Sequence, residues 1–180
     1  MDYPKRKRIR LEQYDYSSPG AYFITICTEH RQNLFWKTDS AVGAAISRPQ
    51  NSAPLPEVLT EIGALVDQAI QNIPTIYQNV SVDKYVIMPN HLHLLLQMHE
   101  LNNGRLIAAP TVNTIIGQMK RWVSKQAGSR IWQKSFHEHI VRNDTDYCEI
   151  WQYIEANPYR WSEDCFFEEE KDKQFTLISV

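Results

Sequence analysis

Apolar positions recur along this chain with two different periods, and each change of period marks an element. Residues 21–28, AYFITICT, follow Ser-Pro-Gly and alternate aromatic or β-branched side chains, which predicts a strand entered from a turn. From Val58 to Ile73 the apolar residues Val58, Leu59, Ile62, Leu65, Val66, Ala69, Ile70 and Ile73 fall three and four apart. That spacing predicts an amphipathic helix ended by Pro74. A strand is predicted from near Val80 to Met88, and a second one, HLHLLLQM, follows almost at once. The Met88-Pro89-Asn90 break between them fits either an antiparallel hairpin or a bent continuous ribbon. Thr111 should cap a helix reaching about Gln126, with Val112, Ile115, Ile116, Met119, Trp122 and Val123 on one face and Gly128 as its stop. Residues 131–141, IWQKSFHEHIV, read as an exposed or edge strand. A last helix, capped by Asn143 or Asp144, carries Tyr147, Ile150, Trp151 and Ile154 inward, and Pro158 cuts it.

Two stretches fall outside this patterning. Residues 38–56 hold Pro49, Pro54 and Pro56 with little large apolar surface, and residues 99–110 are rich in turn formers, so both read as loops. The remainder, in a chain of 180 residues with 43% hydrophobic and 22% charged positions, predicts one globular domain over 1–180. Cys27, Cys148 and Cys165 are odd in number and lack a Cys-x-x-Cys spacing, which argues against a disulfide framework or zinc ribbon and for a reducing cytoplasm. No apolar run approaches the roughly 20 residues of a membrane span, so no membrane anchor is expected.

Charge changes the picture only once its distribution is considered. The formal net charge is −2, which argues weakly against a nucleic-acid partner. Within it, an acidic tail at 162–180 sets Glu163, Asp164, Glu168, Glu169, Glu170 and Asp172 against Lys171 and Lys173. A basic arm within residues 1–19 holds Lys5, Arg6, Lys7, Arg8 and Arg10, a run able to track a phosphate backbone or to stay a solvated arm. Lys120 and Arg121 flank the apolar face of the second helix, Arg31 sits just past the first strand, and Arg142 precedes the last helix. These are the candidate phosphate contacts.

The candidate chemistry lies in the strand HLHLLLQM. Residues two apart on a strand share a face, so His91 and His93 should project in parallel as a pair of nitrogen ligands. Two alternating histidines can equally be polar residues on a half-buried strand, and His137 with His139 is a competing pair on a more exposed segment. In the last helix, Tyr153 and Asn157 are four residues apart on one face, the latter at the end that Pro158 frays. A helical tyrosine is ordinarily packing. Beside a metal it becomes a candidate nucleophile, and the amide a candidate third ligand.

Four segments taken in order, AYFITICTEHR, YVIMPNHLHLLL, IWQKSFHEHIVRN and YIEANPYRWSED, resemble the single-tyrosine HUH transposases, and among these the REP-associated tyrosine transposases. The resemblance spans about residues 20–164. It implies an α+β, ferredoxin-like sandwich: an antiparallel sheet with helices on one face, plus a C-terminal helix carrying the tyrosine. It implies that His91 and His93 bind a divalent metal, Mg2+ or Mn2+, that Asn157 completes the metal shell, and that Tyr153 is the nucleophile. The implied activity is cleavage and rejoining of single-stranded or hairpin DNA through a 5′-phosphotyrosine, by a monomer or a homodimer. Two alternatives stay open at this point: a metal-dependent nuclease using water, and a DNA-hairpin-binding module without catalysis. Loops 38–56 and 99–110 match no motif of the family.

Overall fold

A computed structural model describes residues 15–37, 58–100 and 110–167. The basic arm, residues 38–56, most of the second loop and the tail beyond Phe167 lie outside the described residues.

The first strand, β1, runs Gly20–Cys27, and Tyr22, Ile24 and Ile26 on one of its faces are fully buried. Helix α1 spans Glu61–Gln71. The Thr60 hydroxyl caps it by accepting from the Gly63 N–H at 3.0 Å and donates to the Leu34 carbonyl at 2.6 Å, which ties the helix start to the chain leaving β1. Pro74 does not simply stop the helix. It occupies the first turn of a separate short helix, α2, Ile73–Ile76, where its missing N–H costs nothing.

The segment after α2 forms an antiparallel hairpin, which resolves the choice left by the Pro-Asn break. Strand β2 is Val80–Ile87 and β3 is His91–Met98, with a register shift between Val82 and Lys84. The turn is closed by Met88 N–H donating to the His91 carbonyl at 2.8 Å. Helix α3, Val112–Gln126, begins at Thr111, whose hydroxyl accepts from Thr114 N–H, and ends before Gly128 in the left-handed region at φ +65°. Helix α4, Asp144–Ala156, is capped by Asn143, whose side chain accepts from Asp146 N–H at 2.9 Å.

The strand expected over 131–141 is shorter, with β4 confined to His137–Ile140. Trp132 bridges Thr28 beyond the end of β1, but the Lys120 ammonium takes the Gln133 carbonyl at 2.7 Å and that of Ser135 at 3.4 Å, so the intervening residues leave the ladder. The sheet order is β2-β3-β1-β4, all pairs antiparallel. With one helical crossover after β1 and another after β3, this is the ferredoxin-like arrangement.

Alternation along β3 divides the sheet's two faces. Leu92, Leu94, Leu96 and Met98 join Ile24 and Ile26 in the core shared with Val66, Ile70, Ile115, Ile116 and Val123 of α1 and α3. His91 and His93 point to the other face, which α4 covers. Burying an apolar face of this size supplies the main stabilisation. The opposite face is free to carry chemistry.

Candidate active site

Register builds the site. Cys27 lies across from His91 and Thr25 from His93, so all four share the α4 face of the sheet. Both imidazoles are buried, at 0% and 2% exposure. Their Nε2 atoms are 3.1 Å apart, while each Nδ1 has a protein partner: Asn90 Oδ1 at 2.9 Å for His91 and Thr25 Oγ1 at 2.8 Å for His93. Aromatic rings wall the pair. Phe23 stacks on His93 with centroids 5.3 Å apart, and Phe166 and Trp161 lie 4.6 and 5.9 Å from His91. Burial among these rings disfavours the imidazolium and pushes both pKa values down to about 3, with Arg31 adding to the effect at His91 and His91 itself adding to it at His93. Both rings are therefore neutral near pH 7.

Helix α4 brings Tyr153 over the pair, its hydroxyl 3.3 Å from His93 Nε2. Phe23 meets the phenol ring edge-on, and the side chain remains 43% exposed. Partial burial raises the phenol pKa, the Asp164 carboxylate raises it further, and a hydrogen bond from the Asn157 side chain lowers it. Asn157 itself differs from expectation. Pro158 does not leave a frayed end, because the chain continues into a 3-10 turn over Asn157–Glu163, and Asn157 is only 4% exposed. Its Oδ1 is buried with no hydrogen-bond partner.

That 3-10 turn delivers a residue that the sequence reading counted only as acidic tail. Asp164 Oδ2 lies 3.9 Å from His91 Nε2, with the carboxyl side chain 5% exposed. His91, His93 and Asp164 offer three ligand atoms within 4.8 Å of one another. Two neutral imidazole nitrogens, one carboxylate and the orphaned amide oxygen of Asn157 form a mixed nitrogen and oxygen donor set that fits a divalent cation. The set resembles neither a thiolate-rich zinc site nor an all-oxygen cage.

The other expected site residues are scattered. Arg31 stands beside the triad, its guanidinium 5.1 Å from the Phe166 ring centre. Lys120 is half buried, and its ammonium is engaged by the Gln133 and Ser135 carbonyls. Arg121 and Lys125 rim an apolar groove of about 330 Å3 between α1, α2 and α3, lined by Ile73, Ile76, Tyr77 and Trp122. Arg142 is exposed at the start of α4. Lys5, Arg6, Lys7 and Arg8 lie outside the described residues. The competing pair, His137 and His139, sits on the β4 edge strand, where His137 is in register with Thr25 across from His93 but is not one of the converging ligands, and His139 Nε2 is held by Asp146 at 2.8 Å.

Comparisons with known proteins agree with this fold. No family model matches the chain. An uncharacterised protein of Haemophilus influenzae is 32% identical over 178 residues, covering 88% of this chain and 91% of its own length. A second protein of the same species, named as a candidate REP-associated tyrosine transposase, is 25% identical over 154 residues, covering 81% and 74% respectively. Among solved structures, a REP-associated tyrosine transposase bound to a REP hairpin superposes with a TM-score of 0.54 at 19% identity, over 84% of this chain and 74% of that one. It has the same fold.

Proposed function

The chain belongs to the family of the REP-associated tyrosine transposases, and from that premise we propose that it is a metal-dependent single-stranded DNA transesterase acting on hairpin or repeat DNA. The observation that carries the reading is the Tyr153 hydroxyl at 3.3 Å from His93 Nε2, on the only convergent His/Asp triad among the described residues. Nucleophile candidate and cation site share one pocket, the arrangement an in-line phosphoryl transfer needs.

His91, His93 and Asp164 would hold the cation, with Asn157 Oδ1 as a further oxygen donor. When bound, a divalent cation supplies Lewis acidity toward a non-bridging phosphate oxygen. The protein's own groups do the rest. Tyr153 Oη attacks phosphorus, so an O–P bond forms to the tyrosine while the P–O3′ bond breaks and the 3′ oxygen leaves as a hydroxyl. One ester replaces another, and the reverse step rejoins strands without ATP. The phenol must lose its proton, although burial and Asp164 hold its pKa above the usual 10. The Asn157 hydrogen bond opposes them, and 43% exposure leaves a path for that proton to water. Neutral His91 and His93 each keep one ring nitrogen with a free lone pair for a cation near pH 7. Arg31, beside the triad, is the nearest candidate for an incoming phosphate, and Lys120, Arg121, Arg142 and the arm Lys5, Arg6, Lys7 and Arg8 are further ones.

A denaturing gel tests the reading. Purified protein is incubated with labelled single-stranded oligonucleotides from the flanks of its own gene, with Mn2+ or Mg2+, beside Tyr153→Phe and His91→Ala. A slow-migrating protein–DNA adduct that needs metal and disappears in both variants is the expected result. Cleavage that survives Tyr153→Phe would replace the tyrosine with water and make the chain a nuclease. Binding of every flank with no cleavage would make it a DNA-binding module.

A further inference from the structure

Asn90 is fully buried at the tip of the β2–β3 hairpin, and its side chain joins three separated pieces of chain. Its Nδ2 group donates to the Phe166 carbonyl at 2.8 Å and to the Arg31 carbonyl at 3.2 Å, and its Oδ1 faces His91 Nδ1 at 2.9 Å. A backbone carbonyl can only accept, so two of them on one side fix which end of the amide carries the hydrogens. Oδ1 must then be the atom facing the ring, and an amide oxygen can only accept. His91 Nδ1 therefore holds the proton and Nε2 the lone pair. Heavy-atom positions alone thus fix the His91 tautomer.

Each arm of this amide leads to a feature of the site. The Arg31 carbonyl comes from a turn in which His30 and Arg31 sit consecutively at φ +53° and +54°, a conformation that costs non-glycine residues free energy and is held by its surroundings. Phe166 belongs to the segment bearing Asp164, and its ring packs 4.6 Å from His91. The hairpin tip is itself pinned, since the Asn90 carbonyl accepts from both Thr28 N–H at 2.9 Å and the Thr28 hydroxyl at 3.0 Å. Thus one rigid amide touches the histidine and the backbone two residues from the carboxylate.

We propose that Asn90 is a positioning residue for the cation site: it sets the tautomer that frees His91 Nε2 and ties the Asp164 segment to the same ring, so that ligands from β3 and from the C-terminal turn close as one unit. The inference rests on reading the triad as a cation site and adds what assembles it. Second-sphere hydrogen bonds of this type orient a ligating imidazole and raise its basicity. Here the same side chain also recruits a second ligand. The two roles separate chemically. An aspartate at position 90 can still accept from His91 Nδ1–H but cannot donate to either carbonyl, whereas a leucine of similar volume can do neither.

The experiment compares wild type, Asn90→Asp and Asn90→Leu as full-length, metal-free proteins labelled with 15N-histidine. Proton–nitrogen spectra read the ring tautomer, hydrogen exchange reads residues 164–167, and calorimetry with Mn2+ reads affinity. Wild type should show His91 protonated at Nδ1. Asn90→Asp should keep that signature while exchange in 164–167 quickens. Asn90→Leu should lose the signature, quicken exchange and bind Mn2+ roughly tenfold to a hundredfold more weakly. An Asn90→Leu protein that is folded yet retains the Nδ1–H signature, or binds Mn2+ within about twofold of wild type, overturns the proposal. Should Asn90→Leu not fold, Asn90→Asp decides alone: unchanged exchange in 164–167, or a changed tautomer, overturns it. The spectra use neither DNA nor metal, so they are unaffected by whether the chain cuts DNA; a wild type that binds no Mn2+ would instead remove the cation-site reading itself.

Discussion

His91 Nε2 and His93 Nε2 face one another at 3.1 Å in a pocket walled by Phe23, Phe166 and Trp161. With His91 protonated at Nδ1, its Nε2 lone pair points at His93 Nε2 inside this apolar wall, and the Thr25 hydroxyl, which can either donate or accept, lets His93 offer its own Nε2 to a cation. Such a pair is costly when empty and well prepared when a cation sits between the rings and Asp164. Mn2+ at about a hundred times its dissociation constant should raise the melting temperature by roughly 5 to 10 °C. The same addition to His91→Ala should move it by less than the error of the scan. Equal shifts in both proteins would mean that Mn2+ binds elsewhere.

Acid should unfold the metal-free protein through these rings. Burial, with Arg31 at His91 and with His91 at His93, lowers both folded pKa values to about 3, below the unfolded value of about 6.5. The unfolded chain therefore binds more protons than the folded one between those limits. Stability is full above about 6.5 and falls as pH drops toward about 3, on the order of 2 kcal/mol per ring by pH 5. Chemical denaturation of wild type against the double variant His91→Ala, His93→Ala checks this. The double variant should show a shallower acid limb, and parallel limbs would defeat the assignment.

Much of this site could be read from residue order, because strand alternation alone puts His91 and His93 on one face and helical spacing alone puts Tyr153 beside Asn157. The sheet was equally legible, since β1 and β2 are rich in β-branched and aromatic residues, β3 alternates histidine with leucine, and Pro-Gly and Pro-Asn punctuate them. The reading missed what depends on the path of irregular chain. Asp164 looked like one acid of an acidic tail, because nothing local says that a 3-10 turn will continue past Pro158 and carry its carboxylate back to His91. Asn90 looked like a turn former. Its adjacency to His91 was the available signal, but only the carbonyls of Arg31 and Phe166 reveal its orientation. The strand at 131–141 was overextended because Ile131, Trp132 and Phe136 have strand propensity, while the Lys120 ammonium draws two of the intervening carbonyls.

Gly63 offers a test of the fold away from the chemistry. A Cβ built there would run into the Phe35 carbonyl oxygen, which is backbone and accepts from Thr60 N–H at 2.9 Å, with Leu59 also close. Alanine is the better helix former, so propensity alone predicts a gain of about 1 kcal/mol. The collision should outweigh it. Gly63→Ala is expected to destabilise by roughly 1–3 kcal/mol in urea unfolding. A net gain would show that the junction between α1 and the chain after β1 yields readily.

Two substitutions on either side of Tyr153 should move its phenol in opposite directions, and together they separate charge from hydrogen bonding. Asp164 raises the phenol pKa through its negative charge, and the Asn157 side chain lowers it by hydrogen bonding. Asp164→Asn removes the charge, so the phenol should ionise at lower pH than in wild type. Asn157→Leu removes the hydrogen bond, so ionisation should move to higher pH, with stability little changed because the orphaned Oδ1 leaves with it. Difference absorption during alkaline titration, with Tyr153→Phe subtracted to isolate this tyrosine from the others, gives the sign of each shift. With Asp164 and Asn157 as the proposed oxygen donors to the cation, both variants should also weaken Mn2+ binding. A phenol that shifts the same way in both would mean that repacking of the turn after α4, rather than charge and hydrogen bonding at the hydroxyl, controls the ionisation of Tyr153.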